Sequence, residues 1–183
     1  SQNIVIGGAA GAVPVLVGWS AVTNSVTISA LVLFAVIFFW TPPHFWALAI
    51  KYKDDYARAD VPMLPSVATY RRTTNQILVY TVIVWALTLV FGVTAELGAL
   101  YWVSAIVLGA VFTAMAVDLR RTESPARAIR MFTFSITYIT LLFGAMAADV
   151  IMPVPGRGFA DGSAAVRAEL ARDTLNATSR AEW

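Results

Sequence analysis

The sequence has no cysteine and a single histidine among its 183 residues. Without cysteine the chain cannot form disulfide bonds, thiolate metal sites or a cysteine nucleophile. Charge is also scarce, at 13% of residues against about 25% in a typical soluble domain. Apolar residues make up 58% of the chain, which is more than a soluble fold can hide, so we expect the surrounding solvent to be lipid. The net charge of +2 is too small to indicate a nucleic-acid partner.

Five apolar segments are long enough to cross a bilayer, which takes about 17–25 residues of helix. They cover residues 4–23, 27–50, 76–95, 100–119 and 132–151. The sequence therefore predicts an all-α, polytopic membrane helix bundle over residues 1–152, followed by a polar tail at 153–183. The first span is rich in glycine, which lets neighbouring helices approach closely or lines a cavity.

The basic residues alternate between the loops that join these spans. Loops near 24–26 and 96–99 contain no lysine or arginine, the loop at 51–75 contains five, and the loop at 120–130 contains four. By the positive-inside rule the two basic loops face the cytoplasm, as in a bacterial inner-membrane protein. The chain enters an apolar stretch at once, without methionine or leader, and we interpret it as the C-terminal part of a longer protein.

The second span ends in the most informative segment of the chain, Trp40-Thr-Pro-Pro-His-Phe-Trp-Ala-Leu-Ala-Ile-Lys-Tyr-Lys-Asp-Asp-Tyr-Ala-Arg58. The two prolines predict a break in the helix, after which a new helical segment can start at Pro43. If that helix continues at about 100° per residue, the stripe that starts at His44 runs through Lys51, Asp55 and Arg58. Such a stripe begins at membrane depth and ends at the surface, which suits a ligand with a charged head and an apolar tail.

Two interpretations of the charges remain open from the residues alone. The carboxylates and cations can form i,i+4 pairs, such as Lys51–Asp55 and Asp54–Arg58, on a solvated helix face. Alternatively, the carboxylates hold Mg²⁺ and the cations meet a diphosphate, because Mg²⁺ commonly combines one or two carboxylates with substrate phosphates.

The histidine and the aromatic residues of the segment also have two interpretations each. His44 is either a hydrogen-bonded structural residue or a functional one, since ionisable residues at membrane depth usually have a function. Trp46 and Tyr56 either belong to an interfacial aromatic belt or face a carbocation or a flat ring.

The same segment carries a resemblance to a known family. Trp40-Thr-Pro-Pro-His-Phe-Trp46, followed by Lys53-Asp-Asp-Tyr-Ala-Arg58 and Val61-Pro-Met-Leu-Pro65, closely resembles the protoheme IX farnesyltransferases, or haem O synthases, of the UbiA superfamily. Residues 2–12 and 130–138 are also similar to that family, so the resemblance covers about residues 2–151.

The resemblance implies a nine-helix bundle around a central cavity, with its last five helices in this chain. It implies transfer of farnesyl from farnesyl diphosphate to a vinyl carbon of haem B. In this family two Asp-rich cytoplasmic loops hold the diphosphate through Mg²⁺, and residues 51–72 match the second loop. The first loop has no counterpart here, so the chain alone is expected to be inactive.

The resemblance also assigns roles to individual residues. Asp54 and Asp55 would bind Mg²⁺, while Asp60 does not fit the family's spacing of two aspartates separated by three residues. His44 would orient haem or take a proton, and Arg71 and Arg72 would meet a haem propionate or anionic lipid. The implied site residues are His44, Lys51, Asp54, Asp55 and Arg58 for catalysis and Trp46, Tyr56, Arg71 and Arg72 for substrate binding.

Three other functions remain possible from the sequence. A related enzyme of the superfamily could prenylate a quinone precursor, a non-catalytic membrane subunit could hand haem to an oxidase assembly, and a transporter could also use broken helices. For the farnesyl transfer that the resemblance implies, the expected partners are farnesyl diphosphate, haem B, the lipid bilayer, and haem A synthase or oxidase assembly proteins.

Overall fold

The structure, a computed structural model, describes residues 3–151. Long helices alternate with short connections, and the described residues contain no β-strand. The polar tail predicted at 153–183 lies outside the described residues. The helices are α1 (Asn3–Thr23), α2 (Ile28–Lys51), α3 (Lys53–Arg58), α4 (Leu64–Val67), α5 (Tyr70–Thr94), α6 (Ala99–Thr122) and α7 (Pro125–Ile151).

Five of these helices are long and apolar enough to cross a membrane, which confirms the predicted helix bundle. Two of them start earlier than the apolar runs indicated, because polar first turns extend α5 back to Tyr70 and α7 back to Pro125. The Thr69 side chain caps α5 by accepting a hydrogen bond from the backbone N–H of Arg72. The start of α5 is therefore set by a capped polar turn rather than by hydropathy.

Helices α2, α5, α6 and α7 form a closed ring in which each packs against two neighbours, and α1 packs against α2. Large buried side chains fill the ring, among them Phe91, Tyr101, Phe112 and Tyr138. The phenol of Tyr101 donates to the backbone carbonyl of Thr88 over 2.9 Å, so its hydroxyl is satisfied inside the apolar core. This packing places α2 at the centre of the described residues, in contact with three of the other long helices.

The predicted break at Pro42 and Pro43 is wrong, because α2 continues without interruption from Ile28 to Lys51. Both prolines are buried, and the hydroxyl of Thr41 donates to the carbonyl of Ile37 beside them. A helix in lipid has no water to satisfy freed backbone groups, so helical backbone persists through proline when nearby side chains and helices compensate. His44 therefore lies in the last turns of one continuous span.

Only part of the glycine-rich face of α1 meets a neighbour. A Cβ atom at Gly8 would lie 3.2 Å from the Cβ of Thr41, so α1 and α2 approach closely there. Added Cβ atoms at Gly7, Gly11 and Gly18 would meet nothing within 4 Å. Close approach is thus confirmed at one glycine, and the others leave open space along α1.

Candidate functional site

The charged segment that follows α2 forms a separate short helix. Helix α2 ends at Lys51, Tyr52 interrupts it, and α3 covers Lys53–Arg58. The single uninterrupted stripe from His44 to Arg58 is therefore wrong, because the helix ends before it reaches Asp55. Lys51 and the charged residues of α3 are all exposed, whereas His44 is buried about 10 Å deeper along α2.

The charges of this segment pair differently from the sequence-based expectation. Arg58 forms an ion pair with Asp55, at i,i+3, and neither of the two predicted i,i+4 pairs forms. The ammonium of Lys51 lies 5.3 Å from the centre of the Tyr52 ring, in a cation–π contact. Because the side chains of Arg58 and Asp55 are 77% and 58% exposed, their pair contributes little to stability and can rearrange around a ligand.

A buried turn anchors the exposed carboxylates to the bundle. Met63, Leu64 and Pro65 are buried, and α4 packs against α2, α3 and α5. Asp60 has a φ of 51°, a left-handed conformation that aspartate and asparagine adopt more readily than other non-glycine residues. The chain thus turns back sharply after α3 and holds the Asp54–Asp55 pair at the end of α2.

The two carboxylates of this segment suit a metal ion whose other coordination positions are filled by substrate phosphates. Among the described residues no cluster of three or more histidine, cysteine, aspartate or glutamate side chains could hold a metal ion by itself. Asp54 and Asp55 offer two exposed carboxylates in the first turn of α3. Hard oxygen donors in this number match the way Mg²⁺ binds one or two carboxylates together with substrate phosphates.

His44 occupies an aromatic sandwich between α2 and α7. Its ring stacks on Trp40 with a centroid distance of 4.4 Å and on Phe132 with a distance of 4.6 Å. A third ring, that of Phe45, meets it edge-on at 5.0 Å. With 8% of its surface exposed, the imidazole is fixed in orientation on both faces.

The contact with Ser135 determines which ring nitrogen of His44 carries the proton. The Ser135 hydroxyl donates to the backbone carbonyl of Phe132 over 2.6 Å, and its oxygen lies 2.6 Å from Nδ1 of His44. A hydroxyl has one proton, so when Ser135 donates it to the carbonyl of Phe132, Nδ1 of a neutral His44 is the donor to the serine oxygen. The lone pair of the imidazole then sits on Nε2, which has no hydrogen-bond partner among residues 3–151.

An apolar groove between α1 and α2 also has Trp40 in its wall. Its volume is about 420 Å³, and Trp40 forms part of its wall as well as one face of the His44 sandwich. The open glycines of α1 line its floor, which confirms that some of them line a cavity. The lining residues are Ile4, Gly7, Gly8, Gly11, Ile37, Trp40, Thr41 and Phe45.

The other predicted site residues are distributed around the bundle. Trp46 is buried on the face of α2 that meets α5, where it packs edge-on against Tyr80 at 5.3 Å. Tyr56 is half-buried within α3, beside the carboxylates. The structure therefore brings Tyr56 close to the charged segment and separates Trp46 from His44.

Arg71 and Arg72 are both exposed in the first turn of α5 but have different surroundings. Arg71 lines a polar pocket that it shares with the end of α6, whereas Arg72 does not contribute to that pocket. Sequence reasoning therefore grouped two arginines that the structure separates.

Ser135 is the residue of the candidate site that sequence reasoning did not identify. Its hydroxyl binds His44, and its backbone carbonyl accepts a hydrogen bond of 3.0 Å from the indole N–H of Trp40. The only sequence signal was its position within the segment 130–138, which resembles the haem O synthases. A buried serine that lies 91 residues from its histidine partner has no distinctive sequence pattern.

Fold and site together define a polytopic membrane protein with a charged segment at one end of a span and a buried histidine beside an apolar groove. The chain belongs to the UbiA prenyltransferase family, whose model matches residues 1–148.

Curated relatives carry a more specific name. The chain is 54% identical over 155 residues to a "Protoheme IX farnesyltransferase" of Parafrankia sp. (strain EAN1pec), covering 82% of this chain and 49% of the relative. It is 51% identical over 158 residues to the protein of that name from Mycobacterium avium (strain 104), covering 85% of this chain and 51% of the relative. The chain thus spans about half the length of the curated relatives it matches. No solved structure matches the chain.

Proposed function

We propose that this chain contributes to transfer of farnesyl from farnesyl diphosphate to a vinyl carbon of haem B, which yields haem O. One observation carries the proposal. Two carboxylates, Asp54 and Asp55, follow the end of α2, and an oriented His44 lies deeper within α2. Membership of a prenyltransferase family and the name of the curated relatives support it. The full protein is the unit to which the activity applies.

The charged segment would receive the diphosphate. Asp54 and Asp55 would hold Mg²⁺, which would neutralise charge that develops on the diphosphate when the bond to farnesyl carbon 1 breaks. Lys51 and Arg58 would bind the same leaving group from the flanks. Arg58 is held by Asp55 in the structure, so it would exchange that partner for a phosphate oxygen when substrate binds.

The apolar groove would receive the farnesyl chain. Its glycine floor and aromatic wall offer hydrocarbon contacts and exclude the water that would quench an allylic cation. Tyr56, half-buried beside the carboxylates, is the aromatic ring best placed to face the developing cation. We assign Trp46 a supporting role, since its ring is enclosed between α2 and α5.

His44 would complete the reaction at the haem. The vinyl double bond attacks farnesyl carbon 1, the diphosphate leaves, and water adds to the cation that remains on the haem side chain. The added water must then lose a proton, and Nε2 of His44 carries the lone pair that accepts it. The alternative role, orientation of haem through its iron, uses the same nitrogen and would be recognised by a His44-dependent change in the haem absorption spectrum.

Sidedness, location and partners follow from the same proposal. The basic loops at 51–75 and 120–130 would lie on the cytoplasmic side of a bacterial inner membrane. Transfer of the product to haem A synthase or to oxidase assembly proteins would take place from within the bilayer.

Mass spectrometry of extracted haem tests the function directly. Cells expressing the full-length protein are expected to accumulate haem O, and vector controls are expected to contain haem B alone. A well-inserted full-length protein that yields no haem O would contradict the proposal. Prenylation of an aromatic acid in its place would favour the quinone-precursor alternative.

Substitution of Gly11 by leucine tests the groove. A Cβ atom added at Gly11 would meet nothing within 4 Å, and Gly11 lines the groove that we assign to farnesyl, so folding is expected to tolerate a larger side chain there. We expect KM for farnesyl diphosphate to rise about tenfold, the scale of steric discrimination in apolar pockets. Gly18→Leu is the matched control, because Gly18 is equally open on the same helix but lies outside the groove. Equal effects of the two variants would argue against the groove as the farnesyl site.

A further inference from the structure

A polar pocket lies between the start of α5 and the end of α6, apart from the candidate catalytic segment. Its volume is about 450 Å³. None of its walls comes from α2, α3 or α4, which carry and support Asp54 and Asp55. The residues that line it are Arg71, Val117, Arg120, Arg121 and Glu123.

The arginines of this pocket form no ion pair within the described residues. The ion pairs there join Arg58 to Asp55 and Arg127 to Asp118, and no pocket residue takes part in either. Glu123 lines the pocket without reaching an arginine closely enough to form an ion pair. Three guanidinium groups that share one pocket with a single carboxylate leave a net positive site, which favours an anion.

Hydrogen bonds fix the two walls of the pocket relative to each other. The phenol of Tyr70 donates to the backbone carbonyl of Leu119 over 3.3 Å, which ties the start of α5 to the last turns of α6. Glu123 ends α6 in a left-handed conformation with φ 49°, and its N–H donates to the same carbonyl over 3.3 Å. Arg71 and Arg120 are thereby held on facing helix ends.

The depth of the pocket indicates what kind of anion it takes. Arg120 and Arg121 lie at the end of the apolar span of α6, and Arg71 lies at the start of that of α5, so we expect the guanidinium groups at the level of lipid headgroups. Val117, about one turn deeper in α6, forms an apolar floor on the hydrocarbon side. A ligand of this site combines an anionic group at the surface with a chain that extends into the bilayer.

We propose that Arg71, Arg120 and Arg121 form a binding site for the phosphate of an anionic phospholipid. Guanidinium groups bind phosphate oxygens through paired hydrogen bonds, and basic pockets between membrane helices suit lipid headgroups. The site is independent of the farnesyl transfer proposed above. It also replaces the open choice for Arg71 between a haem propionate and lipid.

Lipid retention by the full-length protein tests the site. The protein is purified from membranes, exchanged into nanodiscs that contain equal amounts of phosphatidylglycerol and phosphatidylcholine, and examined by native mass spectrometry. We expect the wild type to retain phosphatidylglycerol preferentially, and each arginine-to-glutamine change to weaken the preference about fivefold. The principal variant is Arg120→Gln with Arg121→Gln. Glu123→Gln removes the carboxylate from the pocket and is expected to strengthen retention.

The matched control removes the same charge at the same membrane surface. Arg127→Gln with Arg130→Gln lies outside the pocket and should leave the preference within about twofold of wild type. Equal losses in the pocket and control variants would overturn the proposal in favour of general surface charge. Displacement of the lipid by inorganic phosphate or by haem at equal concentration would also overturn it. If the double glutamine variant fails to insert, an unchanged preference in Glu123→Gln overturns it independently.

Discussion

Replacement of Asp55 by asparagine in the full-length protein is expected to lower haem O formation by at least about 100-fold, the scale at which lost charge stabilisation affects transition states. The change removes one of the two carboxylates that we assign to Mg²⁺ and leaves the shape of the side chain almost unaltered. The Asp55 side chain is 58% exposed and pairs only with an exposed arginine, so insertion and stability should not change. Haem O and haem B are quantified by mass spectrometry in membranes with equal amounts of protein.

Asp60→Asn is the matched control for this experiment. Asp60 lies in the same segment and is exposed, but its left-handed backbone turns the chain away after α3. Asparagine tolerates that conformation as well as aspartate does, so activity is expected to stay near that of wild type. Full activity of Asp55→Asn, or equal losses in both variants, would contradict the assignment of the metal to the Asp54–Asp55 pair.

The proposed reaction assigns Asp55 to the diphosphate and His44 to the haem, and the two residues lie on α3 and α2, which follow each other in the chain. In that reaction, cleavage of the diphosphate would use charged groups at the membrane surface, whereas the farnesyl cation would meet the haem vinyl group where bulk water is excluded. Because α2 runs unbroken to Lys51, His44 and the charged segment keep a fixed separation of about 10 Å or more.

The fold was largely predictable because its strongest signal is local. An apolar run of spanning length has few alternatives to a helix in lipid, so the number and order of the spans follow from hydropathy alone. Tertiary contacts are not local in this sense. Asp149 illustrates the limit: its place at a span end is evident from the sequence, but its burial (3% exposed) and the hydrogen bond that it accepts from the backbone N–H of Gly98 depend on how α7 packs against the start of α6.

The candidate site was predictable only where its residues are close in sequence. Residues 51–58 form one short stretch, so their common location followed directly from the pattern. The partner of His44 lies 91 residues away, and its identity depends on the rotation of α7 about its own axis. Arg71 likewise acquires its neighbours from the end of α6, a pairing that no spacing within α5 could indicate.

Removal of the Ser135 hydroxyl is expected to lower kcat about tenfold and to leave KM for both substrates unchanged, because a general base that is no longer held in one tautomer loses part of its contribution. Ser135→Ala deletes the acceptor for Nδ1–H of His44 but retains the backbone carbonyl that binds Trp40. The helices should therefore stay docked while the imidazole is free to adopt either tautomer. His44→Gln removes the base itself and is expected to lower kcat about 100-fold.

Combination of the two substitutions separates a positioning role from a structural one. If Ser135 acts only through His44, then Ser135→Ala should cause no further loss in a protein that already carries His44→Gln. Ser104→Ala provides the matched control, since the Ser104 hydroxyl also donates to a helix carbonyl, that of Leu100 over 2.8 Å, but contacts no histidine. Independent, multiplicative losses at His44 and Ser135 would mean that Ser135 stabilises the contact between α2 and α7 rather than the tautomer. Non-additive losses at His44 and Ser135, together with unchanged activity in Ser104→Ala, would establish that Ser135 of α7 sets the tautomer of a base carried by α2.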